Sequence, residues 1–261
     1  MAGYQDYLLH LADNALILGQ RNAEWCGHGP VIEEDLALAN NALDLIGQAR
    51  LLYQHVATVR KDGKSSEDLL AFFRDVPDFK NYTLLELPHS TAILPTARGD
   101  RDYAVTVARN FLYSALMVQV WAALTASNDA QLAAIASKSL KEAQYHLRHA
   151  HDWVLRLGDG TEESRRRMQA AFDYLMPFTQ EFWTPSAAES AAVKTGAGVD
   201  VNRFRAEWEA TVADTLQAAT LKLPSSKGFV TTGKHGVHSE HLGFVLAEMQ
   251  SLARAHPEAV W

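Results

Sequence analysis

The sequence predicts an all-α protein, a bundle of long helices with shorter ones added. Apolar residues recur every three or four positions through stretches far longer than a strand, and strict apolar–polar alternation persists nowhere. The longest such stretches fall into two pairs, separated by a connection that Pro77, Pro88, Pro95 and Gly99 keep irregular.

Residues 4–24 read as the first helix, with Leu8, Leu11, Ala12, Ala15, Leu16 and Leu18 as its apolar stripe. The run Cys26-Gly27-His28-Gly29-Pro30 breaks it. Pro30 opens a second helix whose first turn is acidic at Glu33, Glu34 and Asp35, as the helix dipole favours. Ile32, Leu36, Ala39, Leu43, Ile46, Ala49, Tyr53 and Val56 give it an expected stripe to about residue 59. After a polar turn, a short helical piece is expected at 68–74, followed by the crossover. Residues 101–126 and 129–157 form the second long pair, with Leu132, Ala136, Ser139, Ala143, His146, Ala150 and Trp153 on one face of the latter. Gly158 is expected as a C-terminal cap, and Thr161 followed by Glu163 starts a fifth long helix to about 183. Residues 184–200, rich in Ala, Ser and Gly, read as a surface linker. Helices at 202–221 and 239–255 come next, the last opened by a Ser239 cap after a Gly-, Lys- and Ser-rich loop at 224–238. The residues beyond the linker are too few for a core of their own, so a single domain over residues 1–261 is expected.

Composition narrows function. The chain has 261 residues, 48% hydrophobic and 21% charged, ordinary values for a water-soluble fold. A net charge of −7 argues against nucleic-acid or anionic-membrane surfaces as partners. One cysteine, Cys26, leaves no internal disulfide, which suits a reducing cytoplasm. The N-terminal stretch carries Asp6, His10, Asp13 and Asn14 in its apolar pattern, unlike a signal peptide.

A carboxylate-bridged di-iron centre in a helical bundle takes about six ligands, built from two Glu-x-x-His helices and two further carboxylates. The literal Glu-x-x-His here is Glu86–His89, interrupted by Pro88 in an irregular segment, and it reads as coincidence. Glu142 and His146 are spaced to meet on a helix face, as a histidine in a hydrogen-bonded core position would be. His238 and His241, with Glu240, Glu248 and His235 nearby, could be drawn as a mononuclear site, although capping or an interface accounts for them more simply. His149 and His151 point to different faces. No dinucleotide fingerprint, phosphate loop or nucleophile elbow is present, and Cys26 with His28 on a Gly-rich turn says little of a nucleophile. Trp121, Trp153, Phe172, Phe182 and Trp208 sit at helical spacing, as core anchors do.

Four runs carry a resemblance: NAEWCGHGP at 22–30, DLALANNALDLIGQAR at 35–50, KEAQYHLRHAHDWVLRLGDGT at 141–161 and GKHGVHSEHLGFVLAEMQ at 233–250. Together they closely resemble the C-subunit family of bacterial phenylacetyl-CoA epoxidases, the phenylacetic-acid degradation proteins, over essentially the whole chain. That resemblance implies a ferritin-like fold related to the catalytic subunit of the same multicomponent oxygenase but lacking its di-iron centre. In the catalytic subunit's pattern the first helix carries a Glu, the second reads DEAGHGLYLY and a later one KEESFH. By this resemblance the first-helix Glu falls at Ala15. The Glu and His of the second motif fall at Leu45 and Gln48, and those of the third at Ala143 and His146. The remaining carboxylate falls near Ser114. One imidazole survives and no carboxylate, so the expected metal set in this chain is empty, with small or apolar residues filling the core at low cost.

The expectation is therefore a non-catalytic structural subunit, without catalytic residues or a cofactor of its own. It would bind and stabilise a di-iron catalytic subunit, alongside reductase and small accessory subunits, in ring epoxidation of phenylacetyl-CoA. Homo-oligomerisation stays open. A partner-facing surface is expected in the loop and last helix, at Lys234, His235, His238, Glu240 and His241. The competing reading is an active metal oxidoreductase with a rearranged site at Glu142, His146, His238 and His241. A CoA-thioester binding module ranks last, for want of a phosphate-cradling loop.

Overall fold

The computed structural model describes residues 2–90 and 101–259; Pro95 and Gly99 of the expected crossover lie outside them. Among the described residues there are ten α-helices and four short 3-10 turns, and the only β-pairing is an isolated bridge from Thr232 to Val237. In chain order the helices are α1 (Ala2–Ala23), α2 (Ile32–Arg60), α3 (Glu67–Phe72), α4 (Thr83–Glu86), α5 (Tyr103–Leu124), α6 (Ala130–Gly158), α7 (Glu162–Leu175), α8 (Ala187–Lys194), α9 (Arg205–Ala218) and α10 (Glu240–Ala255). The all-α, ferritin-like class read from the sequence holds, and the two long pairs match in length: 22 and 29 residues for α1 and α2, 22 and 29 again for α5 and α6. No described helix is long and apolar enough to cross a membrane.

The chain divides into two compact units. The first comprises Met1–Leu87, Ser186–Gly198 and Thr231–Trp261; the second comprises Pro88–Pro185 and Val199–Val230. In the first, α1 and α2 pack along their lengths, with α8 and α4 against α1 and α3 against α2 and α10. The expected α1 stripe is entirely buried. Gly19 lets α2 come close, because a Cβ there would lie 3.1 Å from Ile46 Cγ1 and 3.3 Å from Leu45 Cβ. In the second unit α5 pairs with α6, and α7 and α9 pack against both. Trp208 donates from Nε1 to the Leu112 carbonyl at 3.0 Å, and its ring meets Phe182 and Trp183 edge-on. The aromatic anchors Trp121, Phe172, Phe182 and Trp208 are buried, whereas Trp153 is half-buried against Tyr103.

Four expectations need correction. The α2 stripe is misphased in its first half: Ile32, Leu36 and Leu43 face solvent, while Leu38, Ala42, Leu45, Ala49 and Leu52 are buried. Apolar residues on both faces of α2 made either phase readable. Residues 184–200 are not a surface linker. Ser186 and Glu189 form a capping box that starts α8, whose Ala192 is fully buried. Gly158 does not cap α6 but ends it, and is needed because a Cβ would run into the carbonyl of Ala219. The fifth helix becomes a 3-10 turn from Met176 to Trp183, beginning where Pro177 removes a backbone donor.

Candidate functional site

The six positions that the resemblance aligns with metal ligands are all buried. In the first unit, Ala15 lies on α1, and Leu45 and Gln48 lie on the buried face of α2. In the second, Ser114 lies on α5, and Ala143 and His146 on the buried face of α6. The donor set is one amide, one hydroxyl and one imidazole among three hydrocarbon side chains. Iron held by oxygen ligands needs anionic carboxylates, and none stands at these positions, so the residues do not fit a di-iron centre.

The rearranged site does not assemble either. Among the described residues no group of three or more His, Cys, Asp and Glu is placed to hold a metal ion. Glu142 is engaged by Lys138 at 2.7 Å one helical turn away. Both ring nitrogens of His238 are already used: Nδ1 lies 2.7 Å from a Glu86 carboxylate oxygen and Nε2 2.9 Å from the Phe79 carbonyl. A peptide carbonyl only accepts, which assigns a hydrogen to Nε2 and leaves no lone pair for a metal there.

The expected partner surface is only partly outward. His235 and Glu240 are exposed. Lys234, His238 and His241 are corrections, because their side chains turn into the first unit. Lys234 Nζ is 2.8 Å from Glu189, both nearly inaccessible, and it also sits over the Tyr82 ring at 5.3 Å. His238 and Glu86 have no exposed side-chain surface. Val237 and Phe244 also point outward in this stretch.

Glu86 is the residue that sequence reasoning set aside. It ends α4, and its carboxylate accepts from Asn81 Nδ2 at 2.8 Å, from the Ser239 N–H at 2.6 Å and from His238. It thereby binds the N–H of Ser239, the N-cap residue of α10, whose own side chain makes no capping bond. Its own carbonyl accepts from Arg21 Nε at 3.1 Å and Nη2 at 2.5 Å. His89 bonds elsewhere, with Nδ1 2.7 Å from Thr106 Oγ1 in the second unit. Nearby, burial raises the Glu189 carboxyl. The charges of His10 and Lys234, with hydrogen bonds from Lys234 and the Ser186 N–H, outweigh it and hold the group below its usual value. Burial and Arg21 lower His241 against the opposing pull of Glu240 and Glu86.

A third buried group links α1, α2 and the segment after α3. Asp13 accepts from the Tyr53 hydroxyl at 2.5 Å, from the Lys80 N–H at 2.7 Å and from Arg74, which also lies 4.2 Å above the Phe79 ring. Burial and the Asp13 charge push the Tyr53 phenol well above its usual range. Asp13 and Tyr53 are fully enclosed and every polar atom named is satisfied, so the cluster reads as architecture. The sequence did carry one usable signal for the polar core: Ser186-Ala187-Ala188-Glu189 is a capping-box pattern.

Two matched pairs of long helices, with shorter helices packed around them and hydrocarbon at half of the aligned positions, define a ferritin-like helical protein. A sequence model of the family described as "Phenylacetic acid catabolic protein" matches residues 2–261. The chain is also 44% identical, over 255 residues and 98% of each sequence, to a protein of Escherichia coli (strain K12) named as the C subunit of 1,2-phenylacetyl-CoA epoxidase. The chain belongs to the phenylacetic acid catabolic protein family.

Proposed function

We propose that this chain is the non-catalytic structural subunit of a multicomponent phenylacetyl-CoA ring 1,2-epoxidase, in which it binds and stabilises the di-iron catalytic subunit. The carrying observation is the donor set at Ala15, Leu45, Gln48, Ser114, Ala143 and His146, which holds no carboxylate. The likeness to an epoxidase C subunit supports membership of the complex. Iron, O2 and electrons delivered through a reductase would act on the catalytic subunit, with small accessory subunits completing the assembly. The chain would work in the cytoplasm as one ferritin-like domain over residues 1–261, its two units unfolding together.

The partner-facing surface in this reading comprises the outward residues His235, Val237, Glu240 and Phe244. Exposed apolar side chains flanked by polar and charged ones match the apolar core and polar rim of an interface. Co-expression with the catalytic subunit tests the proposal. A complex that survives purification, with ring oxidation only when both chains are present, is expected. Stoichiometric iron or manganese in the isolated chain, lost on His146→Ala, would favour the metal-oxidoreductase reading instead.

A further inference from the structure

The stretch that carries His235, Val237, Glu240 and Phe244 interleaves these outward residues with two that turn inward, Lys234 and His238. Each inward side chain is anchored on a buried carboxylate: Lys234 on Glu189 of α8 at 2.8 Å, and His238 on Glu86 of α4 at 2.7 Å. Between the anchors, Gly236 at φ +83° lies against the Pro77 carbonyl, where a Cβ would not fit, and Thr232 bridges to Val237. The outward residues therefore hold their places through the inward ones.

The hydrogen bonds of His238 count its protons. Nε2 lies 2.9 Å from the Phe79 carbonyl, which only accepts, so Nε2 carries a hydrogen. Nδ1 faces Glu86 Oε2, which also accepts from Asn81 Nδ2 at 2.8 Å, while Oε1 accepts from the Ser239 N–H at 2.6 Å. Both carboxylate oxygens thus take N–H donors, the arrangement of an ionised acceptor, and Nδ1 must carry a hydrogen too. Around the pair, α1 supplies Arg21, engaged by Glu24 at 2.8 Å and bonded to the Glu86 carbonyl. The segment between α3 and α4 supplies Lys80, whose Nζ donates to the Pro77 carbonyl at 3.3 Å, and α10 supplies Glu240 and His241.

We propose that His238 is held as an imidazolium and that its pairing with Glu86 is a proton-dependent latch on the partner-facing loop. This rests on the reading of that loop as the surface met by the catalytic subunit. Loss of one proton from the pair leaves two acceptors face to face in a dry site, a costly arrangement. The start of α10 then parts from α4, and His235, Val237, Glu240 and Phe244 lose their arrangement. The sign is fixed. The latch holds below the pH at which the ring gives up its proton and opens above it. His241 and Glu189 act in the reverse direction, their contributions fading as pH falls.

Nitrogen-15 resonances of the His238 ring, read at neutral pH in the full chain, test the proton count. Two protonated nitrogens are expected, and one bare nitrogen overturns the proposal. Titrating the same ring alongside the affinity of the full chain for the catalytic subunit tests the latch. Affinity should fall at least tenfold as the ring loses its proton, because only chains with the loop docked bind. A level affinity through that titration overturns the latch. Glu86→Gln, which removes the anion at nearly constant shape, should bind weakly at every pH, and binding as tight as the unaltered chain's overturns the latch equally. Val237→Asp with Phe244→Asp keeps the two readings apart. Lost binding in that variant beside a pH-indifferent unaltered chain strikes the latch alone, whereas retained binding overturns the surface reading and the latch's control of association with it.

Discussion

The imidazole of His238 and the carboxylate of Glu86 meet at 2.7 Å with neither side chain exposed. This contact fastens the start of α10 to the end of α4, 152 residues away in sequence. Removing one partner strands the other in a dry interior, which typically costs about 3–5 kcal/mol. His238→Ala should lower the free energy of unfolding by about that much, and Glu86→Ala likewise. Chemical denaturation of the two variants and their double mutant measures it, and the double should lose less than the sum. A loss below about 1 kcal/mol, the scale of an exposed ion pair, would contradict the burial described.

Two groups give the stability a pH dependence of known sign. The Glu189 carboxyl is held below its usual value in the folded chain, so the unfolded chain takes up the proton first as pH falls. Its contribution is complete above the ordinary carboxylate range near 4.5 and fades as pH drops through the lower folded value. His241 is also lowered, from 6.5, so the unfolded chain again protonates first, and stability falls as pH drops below about neutral. Melting temperatures between pH 8 and about pH 3 should therefore decline in two stages. Replacing His241 by Asn should flatten the upper one, and Glu189→Gln the lower. An unchanged upper stage in the His241 variant would remove that assignment.

Restoring one ligand without the others should damage the protein. Leu45 is buried against α1, and Leu45→Glu would place a carboxylate there with no cation to meet it. The expected loss is several kcal/mol, or a raised carboxyl pKa in a protein that still folds. Thermal unfolding at pH 5 and pH 8 separates these, because a variant that ionises its new carboxyl is hurt more at the higher pH.

Val237→Asp with Phe244→Asp should leave the isolated chain's stability within about 0.5 kcal/mol, as both residues are exposed. The same pair should abolish co-purification with the catalytic subunit. Retained co-purification would move the partner surface elsewhere.

Much of this was legible before the structure. The α1 stripe, the α6 face from Leu132 to Ala150, and the helix start at Thr161 follow from periodicity and local hydrogen bonding, and they stand as read. Helix α8 was misread because Ala, Ser and Gly look like linker until burial against α1 makes small residues the ones that fit. The first half of α2 was misphased because a helix apolar on two faces has no single solution from spacing alone. Long-range polar pairs such as Glu86 with His238 and Glu189 with Lys234 were invisible, since no local pattern marks residues that the fold brings together from 152 and 45 positions apart.

The most direct measurement is metal content alongside phenylacetyl-CoA ring oxidation in three preparations: this chain alone, the catalytic subunit alone and the purified complex. Iron should follow the catalytic subunit, none should accompany this chain in stoichiometric amount, and sustained turnover should require both. Stoichiometric metal bound by this chain alone, or ring oxidation by it unaided, would contradict the account.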